Sequence, residues 1–203
     1  MAEWPPPSEA APLRPIVLVG LTGSGKSTVG RRMATRLERP FIDVDDELVR
    51  RSGRTIREWF AEDGEAGFRV AEADLVADLV AAPGPAVIAA GGGAVVTAAT
   101  RDLLAERALV VWLRAGVPFL LSRLSRNGHR PLLDDDPEAT LTRMAEERSP
   151  LYQEVADIVV DVEPFHRDHD KPKRAAAVRI IELVGSAEAA LALTADDAEG
   201  DRS

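Results

Sequence analysis

The sequence predicts an α/β fold, a three-layer α/β/α sandwich around a parallel sheet of about five strands. Two observations carry this reading. Short apolar runs rich in β-branched residues alternate along the chain with longer segments of helical spacing, as in Ile16-Val17-Leu18-Val19 followed by the pattern from Val29 to Leu37. The runs are continuously apolar rather than alternating, which is the mark of strands covered on both faces. In such sheets ligands collect at the carboxyl ends of the strands. Three polar or glycine-rich clusters stand directly after these runs, at residues 20–28, 43–45 and 91–93.

The elements follow in order. Ile16 to Val19 is a strand that stops at Gly20, and Val29 to Leu37 is helical. Phe41-Ile42-Asp43 is a second short strand ending on an acid. Asp45 to Arg51, Thr55 to Glu62 and Glu65 to Val80 read as helices. Ala86 to Ala90 is a strand stopped by Gly91-Gly92-Gly93. Thr100 to Arg107 is helical, Leu109 to Leu113 a strand, Val117 to Leu124 a helix. Pro137 to Leu151 is helical, Ile158 to Val162 a strand, and Ala175 to Val184 a closing helix. The proline- and alanine-rich start, residues 1–12, cannot build a packed element and reads as a disordered arm. The end, residues 186–203, is small and acidic, and reads as a tail that continues the helix briefly and then frays. The packed unit is then 13–185, with the polar stretch at about 125–137 long enough to act as a lid.

Composition excludes several classes. A chain of 203 residues can bury a core without metal or disulfide support. With no cysteine, disulfides, thiolate metal sites and cysteine nucleophiles are excluded. No apolar run approaches the length of about 18 needed to span a membrane, and prolines occupy the start where a signal peptide needs an apolar core. A cytoplasmic monomer acting on small molecules, with neither membrane nor nucleic acid as partner, is the expectation. The formal net charge is −9, whereas a nucleic-acid binder usually shows a basic footprint. That charge is uneven. Residues 1–12 carry −2 and residues 186–203 carry −4, which leaves −3 of the −9 for 13–185.

Gly20-Leu21-Thr22-Gly23-Ser24-Gly25-Lys26-Ser27-Thr28 has the spacing G-x-x-x-x-G-K-[ST] between a strand and a helix. Glycines let successive backbone N–H groups turn inward around phosphate oxygens, and the helix start adds its positive end. Lys26 reaches the β and γ phosphates and the Ser27 hydroxyl can ligate Mg²⁺. Gly23, Ser24, Gly25 and Thr28 complete the phosphate cradle. The chain has 22 Arg and 3 Lys, and Lys26 is the sole lysine before Lys171. A compact ammonium fits inside such a loop where a planar guanidinium does not.

The remaining clusters each admit a plain reading beside a chemical one. Asp43 and Asp45 stand where the second strand ends. One can hold Mg²⁺ through water and the other can orient a substrate hydroxyl, or either can simply cap the following helix. Gly91, Gly92 and Gly93 allow close approach of backbone to a ligand, or form a flexible turn. Most arginines are solvated surface charges, but Arg69, Arg130 and Arg148 occupy distinctive contexts. A lid arginine such as Arg130 can stabilise transferring phosphate. His166 and His169 lack zincin spacing and read as solvated loop residues.

Together these motifs resemble the shikimate kinases, small P-loop kinases similar to the nucleoside-monophosphate kinases, over about residues 14–184. The resemblance rests on the phosphate loop, Asp43-Val44-Asp45-Asp46, Asp63-Gly64-Glu65 with Phe68-Arg69 and Glu72, Gly91-Gly92-Gly93, Arg130-Pro131-Leu132-Leu133, and Arg148-Ser149-Pro150-Leu151-Tyr152. It implies a P-loop kinase with a lid that transfers phosphate from ATP to the 3-hydroxyl of shikimate, with Mg²⁺ held by Ser27 and Asp43. It further implies Asp45 on the substrate hydroxyls, Arg69 and Arg148 on its carboxylate, and Gly91 to Gly93 lining the substrate pocket. Arg130 reaches from the lid to phosphate, Arg123 stacks on adenine, and Phe60 and Phe68 belong to the substrate-binding region. Residues 163–174 look inserted in the stretch that normally helps cover adenine.

Two rival readings share the phosphate loop. A kinase of gluconate or of a nucleoside monophosphate does not call for Gly91 to Gly93 together with Arg69 and Arg148. A regulatory GTPase requires a guanine-specifying N-K-x-D, and the sequence has none.

Overall fold

The computed structural model describes residues 13–124 and 136–200, with side chains placed through residue 190. Its strands are β1 (Ile16–Val19), β2 (Phe41–Asp43), β3 (Val87–Ala89), β4 (Leu109–Arg114) and β5 (Ile158–Asp161). They form one parallel sheet in the order β2-β3-β1-β4-β5. The helices are α1 (Lys26–Leu37), α2 (Val44–Ser52), α3 (Ile56–Glu62), α4 (Gly64–Ala81), α5 (Ala98–Arg107), α6 (Val117–Leu124), α7 (Pro137–Val155), α8 (Glu163–Asp168) and α9 (Pro172–Gly200).

Period-two alternation along β1 sends its side chains to two cores. Ile16 and Leu18 pack with Val29 and Met33 of α1 and Ala177, Ile180 and Val184 of α9. Val17 and Val19 pack with Leu75, Val76 and Leu79 of α4, Leu104 of α5 and Leu141 of α7. Both sets are buried, which is why β1 reads as an unbroken apolar run. Truncating a fully buried side chain such as Leu18 to alanine costs about 2–5 kcal/mol.

Local chemistry sets most boundaries. Thr55 and Glu58 form a capping box at the start of α3. Asp136 caps α7, and Pro137 opens it at a position where its missing N–H costs nothing. The last two residues assigned to the lid therefore belong to α7 or its cap; residues 125–135, and Arg130 with them, lie outside the described residues. The arm at 1–12 also lies outside them.

Three expectations are corrected. Helix α7 runs to Val155, past Leu151, although Pro150 sits inside it. Burial of Tyr152 and Val155 outweighs the backbone hydrogen bond that Pro150 cannot make. The stretch 163–174 contains a short helix, α8, in which Pro164 occupies the first turn. Helix α9 starts at Pro172 rather than at the expected Ala175, and it continues past residue 185 to Gly200. An alanine-rich sequence has high helix propensity, and the extension packs on α1. Ala187 joins the α1–α9 core, and Glu188 accepts a hydrogen bond of 2.9 Å from the largely buried Arg39. No described helix is long and apolar enough to cross a membrane.

Candidate active site

The phosphate loop joins β1 to α1 at the centre of the sheet. Gly25 precedes α1 at φ 101°, in the left-handed region, and no side chain caps the helix. The first N–H groups of α1 are thus left for a ligand. Gly20 and Gly23 also have positive φ, and a Cβ on Gly20 would stand 2.6 Å from the Leu113 carbonyl oxygen. Lys26 folds back over the loop and donates to the carbonyls of Gly20 at 2.6 Å and Leu21 at 3.1 Å. The ammonium is held at the loop mouth by the backbone it would share with phosphate.

A cavity of about 130 Å³ opens there. The loop residues Thr22, Gly23, Gly25, Lys26, Ser27 and Thr28 line one side, and Asp43, Asp45, Gly91 and Gly92 another. Sheet topology brings these together, because β1, β2 and β3 are neighbours and end at the same edge. Asp43 caps α2: its Oδ1 accepts from the Asp45 N–H at 3.2 Å. The capping reading is therefore correct for Asp43, and the same residue still faces the phosphate cavity.

Behind the glycines lies a layer of charge that no single motif announces. Glu72 of α4 is 1% exposed. It accepts from Arg69 Nη1 at 2.6 Å, while Arg69 Nη2 donates to Glu65 at 3.2 Å. Arg148 of α7, 7% exposed, donates to the Gly92 carbonyl at 3.2 Å, and the Tyr152 hydroxyl donates to the same oxygen. Burial pushes the Glu72 carboxyl up; Arg69 and Arg148 pull against that and Asp45 adds to it. Burial also pushes the Tyr152 hydroxyl well above its ordinary range, keeping it a donor. Glu72 Oε1, Arg69 Nε and Arg148 Nε are buried with no hydrogen-bond partner. Two guanidiniums and one carboxylate, incompletely satisfied, meet around Gly91 to Gly93.

The glycines are required by space. A Cβ on Gly91 would fall 2.0 Å from Glu72 Oε1 and 3.3 Å from Asp45 Oδ1. On Gly93 it would fall 2.2 Å from the Arg69 guanidinium carbon. On Gly92 the nearest atoms are Thr22 N at 3.6 Å and Gly20 O at 3.7 Å, ordinary contacts. The wall is thin so that side chains behind it reach the cleft. Phe60 and Phe68 pack with ring centroids 4.8 Å apart, Phe68 buried in the core that also holds Trp59 and Phe60 at its margin.

Comparison with known proteins decides the family. The model of the shikimate kinase family matches residues 22–183. The chain belongs to the shikimate kinase family. A curated shikimate kinase of Alteromonas mediterranea is 43% identical over 173 residues, 85% of this chain and 97% of the relative. One from Caulobacter vibrioides is 51% identical over 149 residues, 72% of this chain and 74% of the relative. Among solved structures, a shikimate kinase from Acinetobacter baumannii in complex with shikimate superposes with TM-score 0.78 at 38% identity, covering 86% of this chain and 94% of that one. A gluconokinase from Sinorhizobium meliloti, at 24% identity and TM-score 0.53, shares the fold. The family assignment agrees with the α/β sandwich and with kinase chemistry using ATP as co-substrate.

Sequence reasoning placed Asp45, Arg69, Arg148 and the three glycines, and the structure gathers them. Two residues it left without a role are brought in. Glu72, named with Arg69 in the family motif but given no role there, holds Arg69 at i, i+3 spacing on α4. Lys173, at the start of α9, lines the phosphate cavity beside Arg123. His166 is not a loop residue. It lies in α8 with its ring 5.0 Å from Phe119. No group of three metal-ligating side chains occurs among the described residues.

Proposed function

We infer that this chain transfers the γ-phosphate of ATP to the 3-hydroxyl of shikimate, giving shikimate 3-phosphate and ADP. The observation that carries the reading is the meeting of a phosphate loop with Asp45, the buried Arg148 and the half-buried Arg69 across one thin glycine wall. A compact, polyhydroxylated monocarboxylate suits it. Arg69 and Arg148 present guanidinium forks to a carboxylate, and Asp45 accepts from ring hydroxyls. Lys26 and the loop N–H groups hold the β and γ phosphates, so the reacting oxygen and phosphorus meet by positioning rather than covalent chemistry. Asp45 is the acceptor for the hydroxyl proton as the new O–P bond forms. Arg130, by its motif, supplies charge to the transferring phosphoryl group.

Ser27 and Asp43 fit Mg²⁺ by the chemistry of their donors. One hydroxyl and one carboxylate, completed by water and phosphate oxygens, are what this ion takes in kinase sites. Held by these two residues, the ion would supply neutralising positive charge to the nucleotide phosphates. We place the catalytic unit at residues 13–185 and the activity in the cytoplasm, as a monomer. The acceptor is tested by measuring ADP release with shikimate, gluconate and nucleoside monophosphates. Turnover on shikimate is expected, and its absence sinks the reading.

A further inference from the structure

The chain has only 3 lysines against 22 arginines, and each of the three lines one or both of two adjoining cavities. Lys26 and Lys173 line the phosphate cavity. Lys171 and Lys173 line an adjoining cavity of about 440 Å³ with Arg32, Arg123, His166 and Arg174. Arg123 and Lys173 are the two residues common to both, so they stand at the border. Among the described residues no carboxylate lines the second cavity, and Lys173, Arg123 and Arg32 enter no ion pair. Lys171, Lys173 and Arg174 also crowd the start of α9, whose first turn holds no acid. A helix start is the positive end of its dipole, so cations there work against stability. Half-burial and the charges of Arg123 and Arg32 hold the Lys173 ammonium below its usual range. This is an arrangement that wants an anion.

The cavity also has a direction. Asp45, Gly91 and Gly92 mark the end where the acceptor sits. Arg123 and Lys173 mark its border with the second cavity. The γ-phosphate must face the acceptor, so the nucleotide runs from γ through β to α toward Arg123 and Lys173. We propose that Lys173 grips the α-phosphate of the bound nucleotide, beside Arg123, which by the family resemblance stacks on the adenine, so that Lys173 forms the outer half of an anion cradle whose inner half is Lys26 and the loop. This rests on the ATP reading above, and it names a nucleotide-positioning residue in the stretch at 163–174 whose contacts the sequence left open.

The test is calorimetric titration of ADP and AMP into the full chain without shikimate. Lys173→Met keeps the aliphatic stem and removes the charge. It is expected to weaken both nucleotides by about tenfold or more, the scale of a charge-assisted hydrogen bond. Lys173→Arg should recover most of the loss, and Lys171→Met should change affinity by less than about threefold. In turnover, Lys173→Met should raise KM for ATP and leave KM for shikimate unchanged. ADP affinity within about threefold of the parent overturns the proposal. So does an equal loss in Lys171→Met, which would reduce the effect to the general field, or a loss for ADP with none for AMP, which would remove the α-phosphate. Because ADP binding is read without acceptor, a chain that binds ADP but ignores shikimate refutes the proposed acceptor and leaves this inference standing.

Discussion

The three consecutive glycines should fail in three different ways when each is changed to alanine. None of Gly91, Gly92 and Gly93 has the positive φ that an L residue resists, so space alone decides the outcome. At Gly91 the new methyl would meet Glu72 Oε1 at 2.0 Å. Glu72 is 1% exposed and tied to Arg69, so it has nowhere to retreat. Overpacking of this kind costs about 1–3 kcal/mol. In a chain of this size 1 kcal/mol moves the melting midpoint by about 2–4 °C, so a fall of about 2–12 °C is expected for Gly91→Ala. At Gly93 the obstacle is the Arg69 guanidinium, 13% exposed by side chain and able to swing. The midpoint should fall less, and the loss should appear in KM for the carboxylate substrate. At Gly92 the nearest heavy atom is 3.6 Å away. Stability should stay within about 0.5 kcal/mol of the parent, yet the methyl enters the cleft between the loop and Arg148, so kcat/KM should fall by at least about tenfold. Differential scanning fluorimetry and steady-state kinetics on the three variants suffice. If Gly92→Ala melts as low as Gly91→Ala, or keeps full activity, the spatial account of the wall is wrong.

Further predictions concern charge. Lys26→Ala should lower kcat by about a hundredfold or more, the usual scale for removing a donor on the transferring group, with an unchanged melting curve; near-normal kcat would refute its role. Arg148→Lys keeps a positive charge but loses the fork, so KM for shikimate should rise about tenfold while KM for ATP stays put; an equal rise in both would argue against carboxylate recognition. Burial first, then Arg123 and Lys173, hold the His166 imidazole below its ordinary range. It faces Phe119 and Arg123 of α6, Lys171, Lys173 and Arg174 around the start of α9, and Arg32 of α1. A bound nucleotide phosphate offsets those cations, so its titration midpoint should rise on adding ADP. Binding then takes up protons, and affinity weakens as pH rises through that window. An NMR titration of the imidazole with no movement on ADP addition would refute the coupling.

The division between what was legible and what was hidden follows sequence distance. The phosphate loop is contiguous, so nine residues between a strand and a helix carried their chemistry without help from the rest of the chain. The strands were legible because both faces of the sheet are covered, which leaves uninterrupted apolar runs. Element ends were misplaced where packing decided them, as in α7 running past Leu151 to Val155 and α9 starting at Pro172 rather than Ala175. The glycine wall could be seen but not explained. Its reason is Glu72 and Arg69, which come from α4 and meet β3's end only after folding. Lys173 was equally silent, since its significance is a border shared with Arg123 that α9 creates by packing against α1. By itself the sequence determined the phosphate chemistry and the layer order, because both are written in short-range patterns. The tertiary structure alone decided which charges face one another, because electrostatics and exclusion act through distance in space, and β1, α4, α7 and α9 come close only once the sheet is assembled.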